Sequence, residues 1–386
     1  MPRISRISWE TWVATSTDAR DLRNMGTALS LARRGLGNTW PNPTVGCVLV
    51  REDQGGRVVG RGWTQPGGRP HAETEALERA GAAARGATAY VTLEPCDHHG
   101  QTPPCSEALA AAGIARAVIA IEDPDPRTAG RGLTRLEEGG VDVDVGVGCD
   151  DAAYLNAGFF LRIAEGRPLF TLKYGTSLDA RIATGGGDSQ WITGEAARDA
   201  AHHLRAAHDA VLIGSSTALA DDPELTCRLP GLAGRSSVRI IVDGRLRLPA
   251  DSRVVKTARD VPTWLVTLAQ TDPLTRKPYA EAGVDVIEAP PGAGGSPDLT
   301  WLAGELGGRG LTRVLVEGGG RLAASLLGAD LADRLAWFRA PLVIGGDGIP
   351  AADGFGVEGL RDAPRFVRTG SMPLGVDILE TYRRPV

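Results

Sequence analysis

At 386 residues the chain is too long for one ordinary hydrophobic core and comfortable for two domains. With 42% hydrophobic and 23% charged residues it has the make-up of a globular protein, and a formal net charge of -5 excludes a global basic field that would draw it to nucleic acid or a membrane surface. No apolar run approaches the roughly 20 residues needed to span a bilayer.

Residues 1–20 lack the apolar stretch of a secretory leader and read as a poorly ordered extension. NMGTALSLARRG (24–35) predicts an amphipathic helix closed by Gly35. TVGCVLV (44–50) and RVVGRGW (57–63) are β-branched runs flanking a Gly-containing turn, which predicts a hairpin. A helix is expected over 72–85, a strand over 87–94, a short helix over 106–113 and strands over 116–121 and 141–147. The polar Gly/Pro connector at 164–168 marks a boundary. Beyond it, strands are expected at 168–175, 209–214, 237–243, 262–268, 284–289 and 313–319, with helices at 194–207 and 320–329 and a Gly/Pro-rich loop at 289–298. Strands alternating with helices imply an α/β fold in two domains, 21–166 and 168–386.

The first chemical signal is His71-Ala72-Glu73, followed by Pro95-Cys96 and then Cys105. Thiolates and imidazole are zinc ligands, and three protein ligands leave a fourth position for water, as catalytic zinc requires. Zinc lowers the pKa of that water toward neutrality. Glu73, two residues after His71, is placed to move the water proton without itself binding metal. H-x-E followed by P-C, each near a helix start, is the zinc-deaminase signature. Five cysteines, odd and sparse, fit a reducing cytoplasm rather than a disulfide framework. Cys47, Cys149 and Cys227 read as core thiols, and His98 and His99 as residues of the pocket mouth.

The segment EPCDHHGQTPPC (94–105) places eight residues, Asp97 to Pro104, between the two cysteines. With PNPTVGCVLV (41–50), AYVTLEPC (89–96) and DPDPRTAGRGL (123–133), it resembles the bifunctional riboflavin-biosynthesis deaminase/reductase family. The resemblance implies a cytidine-deaminase-like fold for the first half. It also implies hydrolytic deamination of 2,5-diamino-6-(ribosylamino)pyrimidin-4-one 5′-phosphate to the aminouracil, releasing ammonia. Asn42 is then a hydrogen-bond partner of the substrate, although a plain turn residue suits the P-N-P segment equally well. Two positions depart from the family. Asp97 replaces a small residue and Gln101 a cation, either of which can alter substrate binding.

In the second half, Glu317-Gly318-Gly319-Gly320 lies between a predicted strand and a predicted helix. Such a turn lets backbone N–H groups approach a phosphate; it also serves as a simple tight turn, and it is not the G-x-G-x-x-G arrangement. Stretches 172–184, 189–228 and 314–327 resemble the reductase domain of the same family, which has a dihydrofolate-reductase-like fold and reduces the ribosyl group to ribityl with NADPH. The resemblance puts Ser189, Arg205, Leu225, Arg228 and Glu317 at the sugar phosphate. It puts Gly175, Trp191, Thr217, Asp221, Gly244 and the run Gly319, Gly320, Arg321, Leu322, Ala323, Ala324 and Ser325 at NADPH. Lys173 and Asp221 are implied as proton-handling or electrostatic groups, whereas His202, His203 and His208 read as structural or solvated. Ala180 stands where the family has Gly, and Gly244 where it has Ser. A homo-oligomer acting on a phosphorylated pyrimidine, with no nucleic-acid or membrane partner, completes the expectation. Its rivals are a zinc deaminase of another base with an inert second domain and a non-catalytic zinc-stabilised binding protein.

Overall fold

The computed structural model describes residues 18–99 and 103–385. The expected N-terminal extension therefore lies outside the described residues up to position 17. Its last residues are ordered instead: Asp18 caps a helix, its carboxylate accepting the Arg20 N–H at 2.8 Å. The chain divides into two compact units, one ending at Glu165 and the other beginning at Gly166.

The first unit is built on five strands, β1 (Gly46–Arg51), β2 (Arg57–Trp63), β3 (Thr88–Val91), β4 (Arg116–Ile119) and β5 (Asp142–Val145), in spatial order β2-β1-β3-β4-β5. β1 runs antiparallel to both neighbours, as the hairpin signal requires, and β3, β4 and β5 are parallel. The helices are α1 (Ala19–Ala32), α2 (Ala72–Ala80), α3 (Cys105–Ala111), α4 (Arg131–Glu138) and α5 (Cys149–Glu165). Val48, Tyr90, Ile119, Leu136 and Phe160 bury their side chains between sheet and helices. Two glycines in β2 let α2 lie directly on the sheet: a Cβ at Gly60 would stand 2.2 Å from Ala76 O, and one at Gly62 would stand 2.1 Å from Ala72 O. That contact seats the helix that carries His71 and Glu73 at its start.

The second unit holds a nine-stranded sheet. Its strands are β6 (Leu169–Thr176), β8 (Ala210–Gly214), β9 (Val238–Val242), β10 (Thr263–Leu268), β11 (Asp285–Ala289), β12 (Arg313–Glu317), β13 (Ala332–Arg339), β15 (Val367–Leu374) and β16 (Asp377–Arg383). The order is β11-β10-β9-β8-β12-β6-β13-β16-β15, parallel from β11 to β13 and antiparallel over the last two strands. β7 (Arg181–Ala183) and β14 (Ile349–Pro350) form a separate pair. Helices α6 (Glu195–Ala206), α7 (Ser215–Asp221), α8 (Arg253–Lys256), α9 (Pro273–Ala282), α10 (Leu299–Gly308) and α11 (Gly320–Gly328) connect the strands. The chain steps outward from β8 to β11 and then returns with β12 between β8 and β6. This reversal makes a topological switch point, and crevices at such points, outside the carboxyl ends of the strands, are where open α/β sheets bind ligands.

Candidate active sites

His71 occupies the position before α2, yet its side chain makes no capping hydrogen bond. Its ring turns instead toward two thiols, with Nδ1 3.6 Å from Cys96 Sγ and 3.3 Å from Cys105 Sγ. Cys96 sits in the loop beyond β3 and Cys105 opens α3, whose first amide donates to Cys96 Sγ at 3.4 Å. Bonds of about 2.3 Å to sulfur and about 2.0 Å to imidazole at a tetrahedral angle separate such atoms by about 3.5 Å. The donor set therefore fits zinc, and it is the His/Cys cluster with metal-ligand spacing found among the described residues. Hydrogen bonds from Cys105, and then from His71, hold the Cys96 thiol down at about 4 against the effect of burial, so it is a ready thiolate. Glu73 is buried, and that burial pushes its carboxyl up to about 7.

These groups open into a cavity of about 320 Å³ that Asn42, His98, Asp123, Asp125, Arg127 and Arg162 also line. The last four were not singled out in the sequence. Asp123 is buried, which pushes it up to about 7, and its Oδ1 accepts the Asp125 N–H at 2.9 Å. Arg127 grips the Asp125 carboxylate with two nitrogens. All three stand on the segment before α4, and a single carboxylate organises it. Glu94 Oε2 accepts the N–H groups of Asp123 and Gly130, both at 3.1 Å, and Oε1 accepts those of Gly132 at 2.8 Å and Leu133 at 3.3 Å. Glu94 stands two residues before Cys96, and only its nearness to that ligand marked it in the sequence.

In the second unit Arg205 meets Glu317 in a two-pronged ion pair, Nε to Oε1 at 2.6 Å and Nη2 to Oε2 at 2.9 Å, and also reaches Thr226 O at 3.0 Å. Burial opposes ionisation of Glu317, but Arg205 outweighs it and holds the carboxyl at about 2. Lys173 is the neighbour of Glu317 across the β6–β12 pair. Arg228 is exposed and contacts Glu224 at 3.3 Å. Thr217 Oγ1 accepts the Gly319 N–H at 3.1 Å, so the structure joins two of the expected cofactor residues. Gly318 has φ +124°, and a Cβ there would stand 2.6 Å from Thr217 Oγ1, so the turn requires glycine.

Not every expected contact is available to a side chain. Ala323 and Ala324 are 1% and 4% exposed on the packing face of α11, and Leu225 is 3% exposed in the core. Only backbone atoms of these three can reach a ligand, because their side chains are spent on packing. Trp191 is the opposite case, 68% exposed with Arg198 stacked 4.8 Å from its ring centre. A cleft of about 590 Å³ at the carboxyl ends of β8 and β9 takes in Gly244, Arg321, Leu322 and Ser325, together with Arg245 and Arg247, which the sequence did not single out. Three arginines around one cleft suit the phosphates of a dinucleotide such as NADPH.

Comparison with known proteins places both halves. Residues 19–121 match the cytidine and deoxycytidylate deaminase zinc-binding region, and residues 168–379 match the RibD C-terminal domain. The chain is 42% identical to the riboflavin biosynthesis protein RibD of Escherichia coli over 365 residues, covering 92% of this chain and 96% of that protein. It is 41% identical to RibD of Bacillus amyloliquefaciens, covering 92% of this chain and 94% of that protein. Among solved structures it is similar to Acinetobacter baumannii RibD, with TM-score 0.83 and 36% identity over 95% of this chain and 99% of that one.

The chain belongs to the RibD family of riboflavin-biosynthesis proteins.

Another solved relative, from Thermotoga maritima, is described as a diaminohydroxyphosphoribosylaminopyrimidine deaminase/5-amino-6-(5-phosphoribosylamino)uracil reductase, with TM-score 0.82 and 32% identity over 95% of this chain and 99% of that one. The chain is a two-part enzyme, a zinc-dependent deaminase followed by an NADPH-dependent reductase. Similarity through both halves removes the rival readings of an inert second domain and of a non-catalytic zinc protein. Of the departures, Asp97 does not line the cavity; it pairs with Arg135 and Ser106. Gln101 lies outside the described residues. Ala180 takes φ +59°, the left-handed conformation that suits the Gly expected at this position. A Cβ at Gly244 would meet Pro297 Cδ at 2.8 Å, so the missing hydroxyl is exchanged for close packing of the 289–298 loop.

Proposed function

We propose that residues 21–166 deaminate 2,5-diamino-6-(ribosylamino)pyrimidin-4-one 5′-phosphate and that residues 168–386 then reduce the ribosyl group of the product to ribityl. The observation that carries the first step is the cluster of His71 Nδ1 and the thiols of Cys96 and Cys105, all within 4.8 Å of one another beside buried Glu73. Zinc held by that set supplies an acidified water as nucleophile. Glu73 would pass one proton of that water to the ring nitrogen, where it stays, and the second to the amino group, which leaves as ammonia as the C–N bond breaks and the C–O bond becomes the carbonyl. Asn42 orients the pyrimidine from the cavity wall, and Arg127 and Arg162 face the phosphate side.

For the reduction, Ser189, Arg205, Arg228 and Glu317 receive the sugar phosphate, joined by the backbone at Leu225. Glu317 holds the Arg205 fork in place before substrate arrives. The turn at Gly319 and Gly320, with Arg321, Leu322 and Ser325 of α11, receives the phosphates of NADPH, and Thr217 fixes that turn. Gly175, Trp191, Asp221 and Gly244 complete the cofactor site, and Lys173, the strand neighbour of Glu317, serves as an electrostatic group for the sugar. We assign the enzyme to the cytoplasm and to a homo-oligomer. β15 supports the latter: it ends the sheet as an exposed strand with Val367 and Met372 each 48% exposed, an edge that a second copy would cover.

A coupled assay with the natural diaminopyrimidine phosphate, following ammonia and NADPH separately, tests the scheme. Zinc chelation should abolish ammonia release and leave NADPH oxidation intact when the deaminated intermediate is supplied. Loss of both signals would refute the assignment of independent sites, and persistence of ammonia release would refute the zinc-dependent deamination.

A further inference from the structure

The segment carrying Cys96 is held on both sides by α4. Upstream, Glu94 accepts the N–H groups of Gly130, Gly132 and Leu133 at the start of that helix. Downstream, Asp97 pairs with Arg135 on the same helix, Nε to Oδ1 and, at 3.5 Å, Nη2 to Oδ2. Asp97 Oδ1 also accepts the Ser106 hydroxyl at 2.8 Å, while the Ser106 amide donates to Cys96 O at 3.3 Å. Ser106 directly follows Cys105. Arg135, Asp97 and Ser106 therefore tie the residue after one thiol to the residue after the other. Starting from the first of the eight residues that separate the cysteines, the tie bypasses the other seven, 98–104.

A long insertion between two ligands leaves their separation to chain entropy unless something else sets it. Here a partly buried carboxylate does: the Asp97 side chain is 9% exposed and takes no part in the substrate cavity. We propose that Asp97 is a positioning residue for the metal, holding Cys96 and Cys105 at ligand spacing before zinc binds and slowing its escape afterwards. The proposal rests on the reading of His71, Cys96 and Cys105 as zinc ligands.

The test is zinc transfer from the full-length, zinc-loaded protein to a chromogenic chelator, with the unfolding midpoint of the metal-free protein measured alongside. Loss of a group supporting a metal ligand weakens binding by roughly 10–100-fold. Asp97→Ala and Ser106→Ala are expected to release zinc about tenfold faster or more, on that scale. Arg135→Met, at a half-exposed helix position, should do the same. Asp97→Asn keeps an acceptor for Ser106 and should fall between. Release rates within twofold of wild type in Asp97→Ala and Arg135→Met would overturn the proposal, even if the midpoint dropped. A wild-type protein that binds no zinc would overturn the metal site itself, and the positioning role with it. Stoichiometric zinc with unchanged release would overturn the positioning role alone.

Discussion

In the N-terminal unit all three proposed zinc ligands come from two short segments, the start of α2 and the stretch from Cys96 to the start of α3. In the C-terminal unit the expected contacts are scattered over the carboxyl ends of β6, β8, β9 and β12 and the helices that follow them. The first arrangement concentrates chemistry in side chains whose identity cannot vary, because few residue types ligate zinc. The second spreads it over backbone, packing and charge, so several residue types satisfy each position. Damage should differ accordingly: near-total and confined to one step in the first unit, graded and mixed with stability in the second.

Glu73→Gln gives the largest expected effect. Ammonia release should fall by roughly 10²–10⁴-fold, the range for loss of a general acid–base group, with zinc content and NADPH oxidation of supplied intermediate unchanged. A parallel loss of the reductase step would break the contrast between the units. Arg205→Met should be costly in a different way. It strands Glu317, a side chain only 11% exposed, without its cation, and breaking such a pair costs roughly 3–5 kcal/mol. Denaturant unfolding of the C-terminal unit should show that loss together with a raised KM for the phosphorylated intermediate. Adding Glu317→Gln should recover stability but not KM.

A smaller effect comes from His208. Its Nδ1 donates to Leu204 O at 2.7 Å and its Nε2 accepts from Thr171 Oγ1 at 3.0 Å, and burial lowers its pKa from 6.5 to about 3. A base whose folded pKa is depressed contributes its stability in full above the unfolded pKa and loses it as pH falls toward the folded one. Between pH 7 and pH 5 the C-terminal unit should lose roughly 2 kcal/mol, and His208→Gln should flatten that dependence. The smallest effect is Ala180→Gly, which removes a Cβ from a residue at φ +59°. The unfolding midpoint should rise, by an amount corresponding to about 1 kcal/mol.

The same contrast governs what could be read in advance. The α/β class, the β1–β2 hairpin and six parallel strands of the second sheet were all legible from β-branched runs and punctuation by glycine and proline. Helix α4 was not, because glycines bracket its eight residues and leave too short a window for periodicity. The parallel strand β13 and the antiparallel strands β15 and β16 were not assigned either; β15 is exposed along nearly its whole length, so it carries no inward alternation to detect. His71, Glu73, Cys96 and Cys105 stood out because their chemistry is intrinsic to the side chains. Glu94 did not, since its partners are amide groups 29 to 39 residues away that any residues can supply. Arg245 and Arg247 gain meaning only once folding brings β8 and β9 side by side.

The placement of β12 also sets an order of events during synthesis. β6, completed at Thr176, has only β12 and β13 for neighbours, and neither exists until the chain has passed Arg313. The ribosome must therefore emit more than a hundred further residues before the centre of the second sheet can close. A nascent chain stopped short of Arg313 would lack β12 from the middle of its sheet as well as the β13-β16-β15 edge, leaving β6 without a partner strand. The five strands of the deaminase unit would by then have been complete since Val145.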